Sequence, residues 1–258
     1  MGGNGKPVLW HIPFSHYSEK ARWALAFKGI AHDRHVAVAG THPAVAFALT
    51  RGQCGTFPVL QIDGRNIGDS TAIIAALEEA QPDPPLYPAD PDERRRALEL
   101  EDWFDEHLGP QARLLGWHEV VMDPESLESL SLKMAPALRR FPAVAAWATR
   151  SFVNARFKVS SREAAERARA DVLTAFDRLE SELGDSDYLV GDSFSVADLT
   201  AAALFYPLVL PPEAPRQIDN PPERYERFRE PLKERRGYRW VEEMYRRHRR
   251  PAPVATSS

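Results

Sequence analysis

A single cysteine, Cys54, in 258 residues excludes a disulfide framework and any zinc site built on thiolates, since both need at least two. The histidines do not replace it. His32 and His35 would point to opposite faces of a strand and His107 and His118 stand eleven apart, so no ligand spacing emerges and no metal is expected. Basic residues are not in excess: Lys and Arg total 33 against 37 Asp and Glu, a net charge of −4 that argues against nucleic acid as the partner. The one dense basic run, 246–250, follows acidic residues and reads as the solvated end of a helix, where cations meet the negative end of the dipole. No apolar run reaches the roughly 20 residues of a membrane span, and no signal-like segment precedes Val8. A cytoplasmic protein with no membrane partner is the expectation.

The chain is arranged around residues 8–30, VLWHIPFSHYSEKARWALAFKGI. Residues 8–12 are β-branched and aromatic and read as a short buried strand. Proline starts a turn over 13–17, a helix opens at Ser18-Glu19-Lys20, and Gly29 stops it. A strand, a tight turn and a helix leave unpaired backbone N–H groups and partial positive charge at the turn, beside Ser15. Strand 32–39, a short helix 42–50, strand 56–62 and strand 65–67 follow, the last two joined by Asp63-Gly64, a strong hairpin signal. Asp69-Ser70 then caps a helix from 71 to 81. The order is βαβαββα, an α/β domain over residues 1–83. Phe57-Pro58 opens a strand with a residue that cannot donate a ladder hydrogen bond, and a cis bond is expected there.

Residues 84–89 belong to a stiff proline-rich connector. From 90 to 251 the periodicity is helical throughout, an all-α domain, with a disordered tail expected at 252–258. Asp90 caps a long helix, with a kink expected at Gly109-Pro110. Ser160-Ser161-Arg162-Glu163 matches a capping box, and a helix runs from there to Gly184. Ser195 and Asp198 form a second box, with Phe194 and Leu199 as a hydrophobic staple. Residues 122–159 separate the first two main helices and are expected to add a helix over 127–147, broken at Pro136 and Pro142. Arg139, Arg140 and Arg150 make this segment a poor membrane span. It could cover a cleft or alter assembly.

Several stretches carry a resemblance. S15-H16-Y17-S18-E19-K20-A21-R22 looks like the CPYCxKVR opening of a glutaredoxin with serine at both cysteine positions. T56-F57-P58-V59-L60, with I67-G68-D69-S70-T71-A72-I73, resembles the second half of a thioredoxin-like domain. The string Y188-L-V-G-D-S-F-S-V-A-D-L resembles the LxGdxfSxADl box of a helical domain, and residues 237–251 resemble a closing helix. In that order and spacing they resemble the soluble glutathione transferases, serine-type, over nearly the whole chain.

The resemblance implies a thioredoxin-like domain that binds glutathione as co-substrate, an all-helical domain, and a homodimer built from the Ser70 helix and the first long helix. It implies that Ser15 donates a hydrogen bond to the glutathione sulfur. Lowering a thiol from pKa about 8.5 to about 6.5 takes roughly 2.7 kcal/mol, which one charge-assisted hydrogen bond and a helix N-terminus can supply. A serine before a helix can also simply cap it, and Tyr17 is the rival donor. Phe57 and Pro58 would offer backbone groups to the cysteinyl part in the manner of an added strand; Ser70 would hold the γ-glutamyl carboxylate and Asp69 the ammonium. Phe14, Tyr17, Trp117 and Tyr206 are the candidate walls of an electrophile pocket. With serine at 15 and 18, disulfide exchange is excluded, and Cys54 reads as a small buried filler. Asp198 is assigned to the cap, not to chemistry. The implied activity is attachment of the glutathione thiolate to a hydrophobic electrophile. The alternatives are a non-catalytic binding or scaffold protein on the same fold, or a glutathione-dependent isomerase or dehalogenase.

Overall fold

The computed structural model describes residues 6–36, 40–215 and 221–251; the expected tail at 252–258 and the end of the second strand lie outside them. Strands β1 (Val8–His11), β2 (Asp33–Val36), β3 (Val59–Ile62) and β4 (Arg65–Gly68) form one sheet in the order β2-β1-β3-β4. β1 and β2 run parallel, with Val8 opposite Asp33, and the other two pairings are antiparallel. Between β3 and β4, Asp63 and Gly64 both have positive φ, 49° and 73°, the backbone that a two-residue hairpin turn demands. The Phe57–Pro58 bond is cis. The third strand starts at Val59 and not at Thr56, because Pro58 has no N–H to place in the ladder.

Helices α1 (His16–Phe27), α2 (His42–Leu49) and α3 (Ser70–Ala80) complete this domain. The first opens two residues before the expected Ser18. Ser15 Oγ accepts the Ser18 N–H at 3.3 Å as the N-cap, while Ser18 turns inward and its own hydroxyl accepts the Ile12 N–H at 3.2 Å. In α3, Asp69 alone is the cap, accepting from Thr71 N at 2.9 Å and Ala72 N at 3.3 Å, and Ser70 is already the first helical residue.

The second domain is all helix: α4 (Pro91–Trp103), α5 (Gly109–Met122), α6 (Pro124–Met134), α7 (Pro142–Phe157), α8 (Arg162–Leu183), α9 (Val196–Val209), α10 (Glu223–Arg229) and α11 (Arg236–His248). The kink expected at Gly109-Pro110 takes the form of a π turn over Phe104–Leu108 just upstream. Pro110 has no N–H for the carbonyl four residues back, and a wider turn absorbs the mismatch. The segment 122–159 holds two helices, α6 and α7, where one broken helix was expected, with a 3₁₀ turn at Pro136–Leu138 between them. Ser161, not Ser160, caps α8, by accepting the Ala164 N–H at 3.1 Å; the box with Glu163 does not form. The Ser195–Asp198 box forms as expected.

Helix α9 is the axis. Its residues are buried apart from Pro207, and α1, α4, α5 and α11 pack around it. This buries one continuous core across both domains. Trp23 of α1 lies on Tyr245 and Phe194, with ring centroids 4.3 and 5.7 Å away, and its indole N–H donates to the His248 carbonyl at 3.1 Å. Helices α6 and α7 pack with the end of α5 in a smaller second core of Val120, Val121, Leu127, Leu130, Val153 and Val159. No helix among the described residues is long and apolar enough to cross a membrane.

Candidate active site

A cavity of about 880 Å³ opens between the two domains. Its inner end is the turn from β1 into α1. Arg22, buried in α1, donates to the carbonyls of Ile12 at 3.3 Å and Pro13 at 3.0 Å, and Glu19 fixes that guanidinium at 2.7 Å. The turn is therefore held from below, and Ser15 stands at its top, half-buried and lining the cavity. Capping uses one lone pair of the Ser15 oxygen, which leaves the hydroxyl proton free to donate.

Phe57, Pro58, Asp69 and Ser70 line the same cavity. Ladder pairing begins at Val59, so the peptide groups of Phe57 stand outside it. Ser70 is 2% exposed, and its hydroxyl has no hydrogen-bond partner among the described residues. Asp69 has φ 74° and ψ 136°, a conformation that costs a non-glycine residue about 1–3 kcal/mol and concentrates at ligand-holding positions.

Tyr17 lines the cavity too, but its hydroxyl donates to the Asp105 carbonyl at 2.9 Å. Burial pushes the phenol up to about 12, with Asp105 and Asp69 reinforcing and Arg113 opposing. A side chain at Gly109 would collide with this hydroxyl, so the glycine lets Tyr17 lie against the start of α5. Phe14 meets Trp117 edge to face, centroids 5.6 Å apart, and both line the cavity. Tyr206 does not. It is wholly buried behind the wall, its hydroxyl donating to the Phe14 carbonyl at 2.8 Å; its place on the central helix α9 puts it in the core. Cys54 is half-buried, not buried, and sits off the wall with its thiol toward the Thr56 carbonyl at 3.4 Å.

Sequence reasoning missed three groups here. Lys20, wholly buried, pairs with Glu101 at 2.8 Å and Asp105 at 2.5 Å and donates to Thr71 Oγ1 at 2.8 Å. Burial would lower its pKa, but the two carboxylates prevail and hold it above the usual lysine value. This cation ties α1, α3 and the π turn together behind Ser70. His16 is buried, and burial followed by Arg113 lowers it to about 3, so it is neutral. Arg113 of α5 and Arg156 of α7 line the far end, with Leu130, Met134, Phe152 and Phe157 of α6 and α7. The segment 122–159 therefore covers the cleft. Only the invariant order of a local motif is readable before folding, and these groups converge from separate helices.

A four-stranded mixed sheet with three helices, followed by an all-helical domain closing over a cleft at the first strand–helix turn, defines a two-domain thioredoxin-like architecture. Residues 9–85 match the family description "Glutathione S-transferase, N-terminal domain" and residues 162–230 match "Glutathione S-transferase, C-terminal domain". The chain belongs to the glutathione S-transferase family. It is similar to the maleylacetoacetate isomerase of Rattus norvegicus, 35% identical over 114 residues, which are 43% of this chain and 52% of that protein. The chain thus spans about half the length of that relative. It also resembles the maleylacetoacetate isomerase of Dictyostelium discoideum, 27% identical over 206 residues and 78% of each chain. Among solved structures, the theta class glutathione S-transferase from Xanthomonas axonopodis pv. citri, with glutathione bound, superposes with a TM-score of 0.58 at 22% identity, covering 93% of this chain and 98% of that one.

Proposed function

We propose that this protein is a glutathione-dependent enzyme that conjugates the glutathione thiolate to an electrophile held at the far end of the cavity. The observation that carries the reading is the division of labour at Ser15: its lone pair caps α1, and its proton is left to stabilise a thiolate. Tyr17 has no proton to spare, because the Asp105 carbonyl takes it. The unpaired N–H groups at the start of α1 add a partial positive charge. Ser70 offers a hydroxyl and the α3 N-terminus to the γ-glutamyl carboxylate. Asp69 offers its second carboxylate oxygen to the ammonium, and Phe57 its peptide groups to the cysteinyl backbone. Stabilising the thiolate and holding it beside the electrophile are the two contributions to rate.

The names of the sequence relatives favour a second reading, isomerisation, on the same residues. Ser15 would stabilise a thiolate that adds to an activated double bond and is expelled after rotation about the resulting single bond, so glutathione returns unchanged. Retention on immobilised glutathione, then turnover of 1-chloro-2,4-dinitrobenzene with loss of free thiol, tests the first reading. Cis–trans conversion of an activated alkene with no loss of thiol supports the second. A protein that shows no calorimetric binding at millimolar glutathione is neither, and a binding or scaffold role takes their place. We further propose a homodimer through α3 and α4; light scattering that returns 29.0 kDa at all concentrations removes it.

A further inference from the structure

Arg113, Trp117, Phe152, Arg156 and Phe157, at the far end of the cavity, lie outside both family matches, and the charge there is unusual. The Arg113 guanidinium lies 4.6 Å from the centroid of the Phe157 ring and 5.7 Å from that of Tyr17; Arg156 lies 5.4 Å from the Phe157 centroid. Two cations thus share one ring. Neither makes an ion pair or a side-chain hydrogen bond among the described residues; Arg113 is part-buried and Arg156 is exposed, so the cost of burial falls on Arg113. Arg22, Arg169, Arg224, Arg229 and Arg235, by contrast, each hold a carboxylate.

Leaving a part-buried guanidinium without an anion is costly. Burial, followed by repulsion from Arg156, lowers the pKa of Arg113, though arginine stays charged. The carboxylates that line the cavity are engaged elsewhere or stand at its rim. Asp69 caps α3, Asp105 is held by Lys20, and Glu119 is held by Arg169 and Arg224; Asp102 and Glu106 are solvent-exposed. The site therefore presents two fork-shaped donors beside apolar walls, a pattern matched by a ligand with an apolar body and a planar or tetrahedral anionic head.

We propose that the far end of the cavity binds aromatic or alkenyl substrates that carry a carboxylate or sulfonate, with Arg113 and Arg156 holding the anion and Phe14, Trp117 and Phe152 the apolar body. That the ligand is the electrophile of the reaction rests on the proposed function; that the site selects an anion does not.

The test uses a matched pair of fluorescent probes, 8-anilinonaphthalene-1-sulfonate and N-phenyl-1-naphthylamine, which differ by the sulfonate. The wild-type protein is expected to bind the sulfonate at least about tenfold more tightly, the scale of one or two charge-assisted hydrogen bonds. Arg113→Gln and Arg156→Gln should each weaken the sulfonate about five- to tenfold and leave the neutral probe within about twofold, with partial recovery in Arg113→Lys. Unchanged binding of the neutral probe also shows that the variants fold. Equal affinity for the two probes in the wild type, or equal losses for both in the variants, overturns the proposal. Glutathione affinity is measured in parallel by calorimetry. Its absence alongside intact discrimination removes the transferase reading and keeps the anion site; the reverse removes only the anion site.

Discussion

Replacing Ser15 by alanine separates the two roles of its hydroxyl. As a cap, the oxygen accepts the Ser18 N–H at 3.3 Å, a long bond, so its loss costs the lower part of the usual range, about 0.5–1 kcal/mol of stability. Arg22 still holds the turn through two carbonyls, and the variant should fold. As a donor to sulfur, the hydroxyl accounts for most of a stabilisation of about 2.7 kcal/mol, with the helix N-terminus supplying about 0.3–1 kcal/mol. The thiol of bound glutathione is therefore expected to titrate near pKa 8 in Ser15→Ala against about 6.5 in the wild type, short of the free value because the helix start persists. Conjugation should fall by about one to three orders of magnitude, the yield of one oxyanion-type donor, while glutathione affinity changes little. The assay is the ultraviolet absorbance of bound thiolate against pH, run beside Tyr17→Phe. The tyrosine variant loses only its bond to the Asp105 carbonyl and should keep a shifted titration and most activity. If Ser15→Ala keeps the shift and Tyr17→Phe loses it, the assignment is reversed and the cap is the whole of the serine's role.

Ser70→Ala should weaken glutathione binding by about 1–3 kcal/mol, the cost of one hydrogen bond to a charged carboxylate; calorimetry reads it, and an unchanged Kd would move the carboxylate elsewhere. Asp198 accepts the N–H groups of Leu189 and Ser195, each at 2.8 Å, and the Ser195 hydroxyl at 2.9 Å. Asp198→Ala orphans buried donors and should cost about 3–5 kcal/mol by denaturant titration, with Asp198→Asn costing less. Acid should destabilise the fold. Burial holds His11 and His16 at about 3, so between pH 6.5 and 3 only the unfolded chain takes up their protons and stability falls with pH. Burial raises Asp198 to about 6, and between pH 6 and 3.8 this acts with the opposite sign, adding stability as pH falls. At pH 5 these three groups together contribute a loss of about 2–3 kcal/mol relative to pH 7, and a urea midpoint that rises on going from pH 7 to 5 would contradict it. Gly109→Ala should displace Tyr17 and cost about 2–4 kcal/mol, as overpacking at a tight position does.

What could be read before folding was local. The Asp63-Gly64 hairpin, the caps at Asp69, Asp90 and Ser195, and the stop at Gly184 depend on a few neighbouring residues, and each appears in the structure. Where two local solutions competed, the order of residues did not decide. Ser15 and Ser18 could both start α1, and burial of Ser18, whose hydroxyl accepts the Ile12 N–H, settled it. Ser160 and Ser161 differed only in which one reached a helix N–H. Tyr206 had the character of a wall residue, but the enclosure of α9 by its neighbours moved it into the core. Lys20 with Glu101 and Asp105, and Arg113 with Arg156, lie 81 or more and 43 positions apart; no periodicity records such meetings, which the packing of α4, α5 and α7 creates. Helix α10 and the 3₁₀ turn that follows it at Glu230–Glu234 fall in the stretch expected to be helical, but their short, charged sequence gave no separate bounds.

The second core, under α6 and α7, has a consequence for descent. A wall whose apolar footing is distinct from the main core, shared only with the end of α5 and with Phe14, can be exchanged with little change to the rest of the molecule. Substitutions at Phe152, Arg156 or Met134 change what the far end of the cavity admits, while the Ser15 turn, the Lys20 clamp and the α9 axis are supported by other contacts. Variation among descendants of this chain is then expected to gather in these two helices. Novelty in substrate and continuity in chemistry would be inherited through different stretches of one gene.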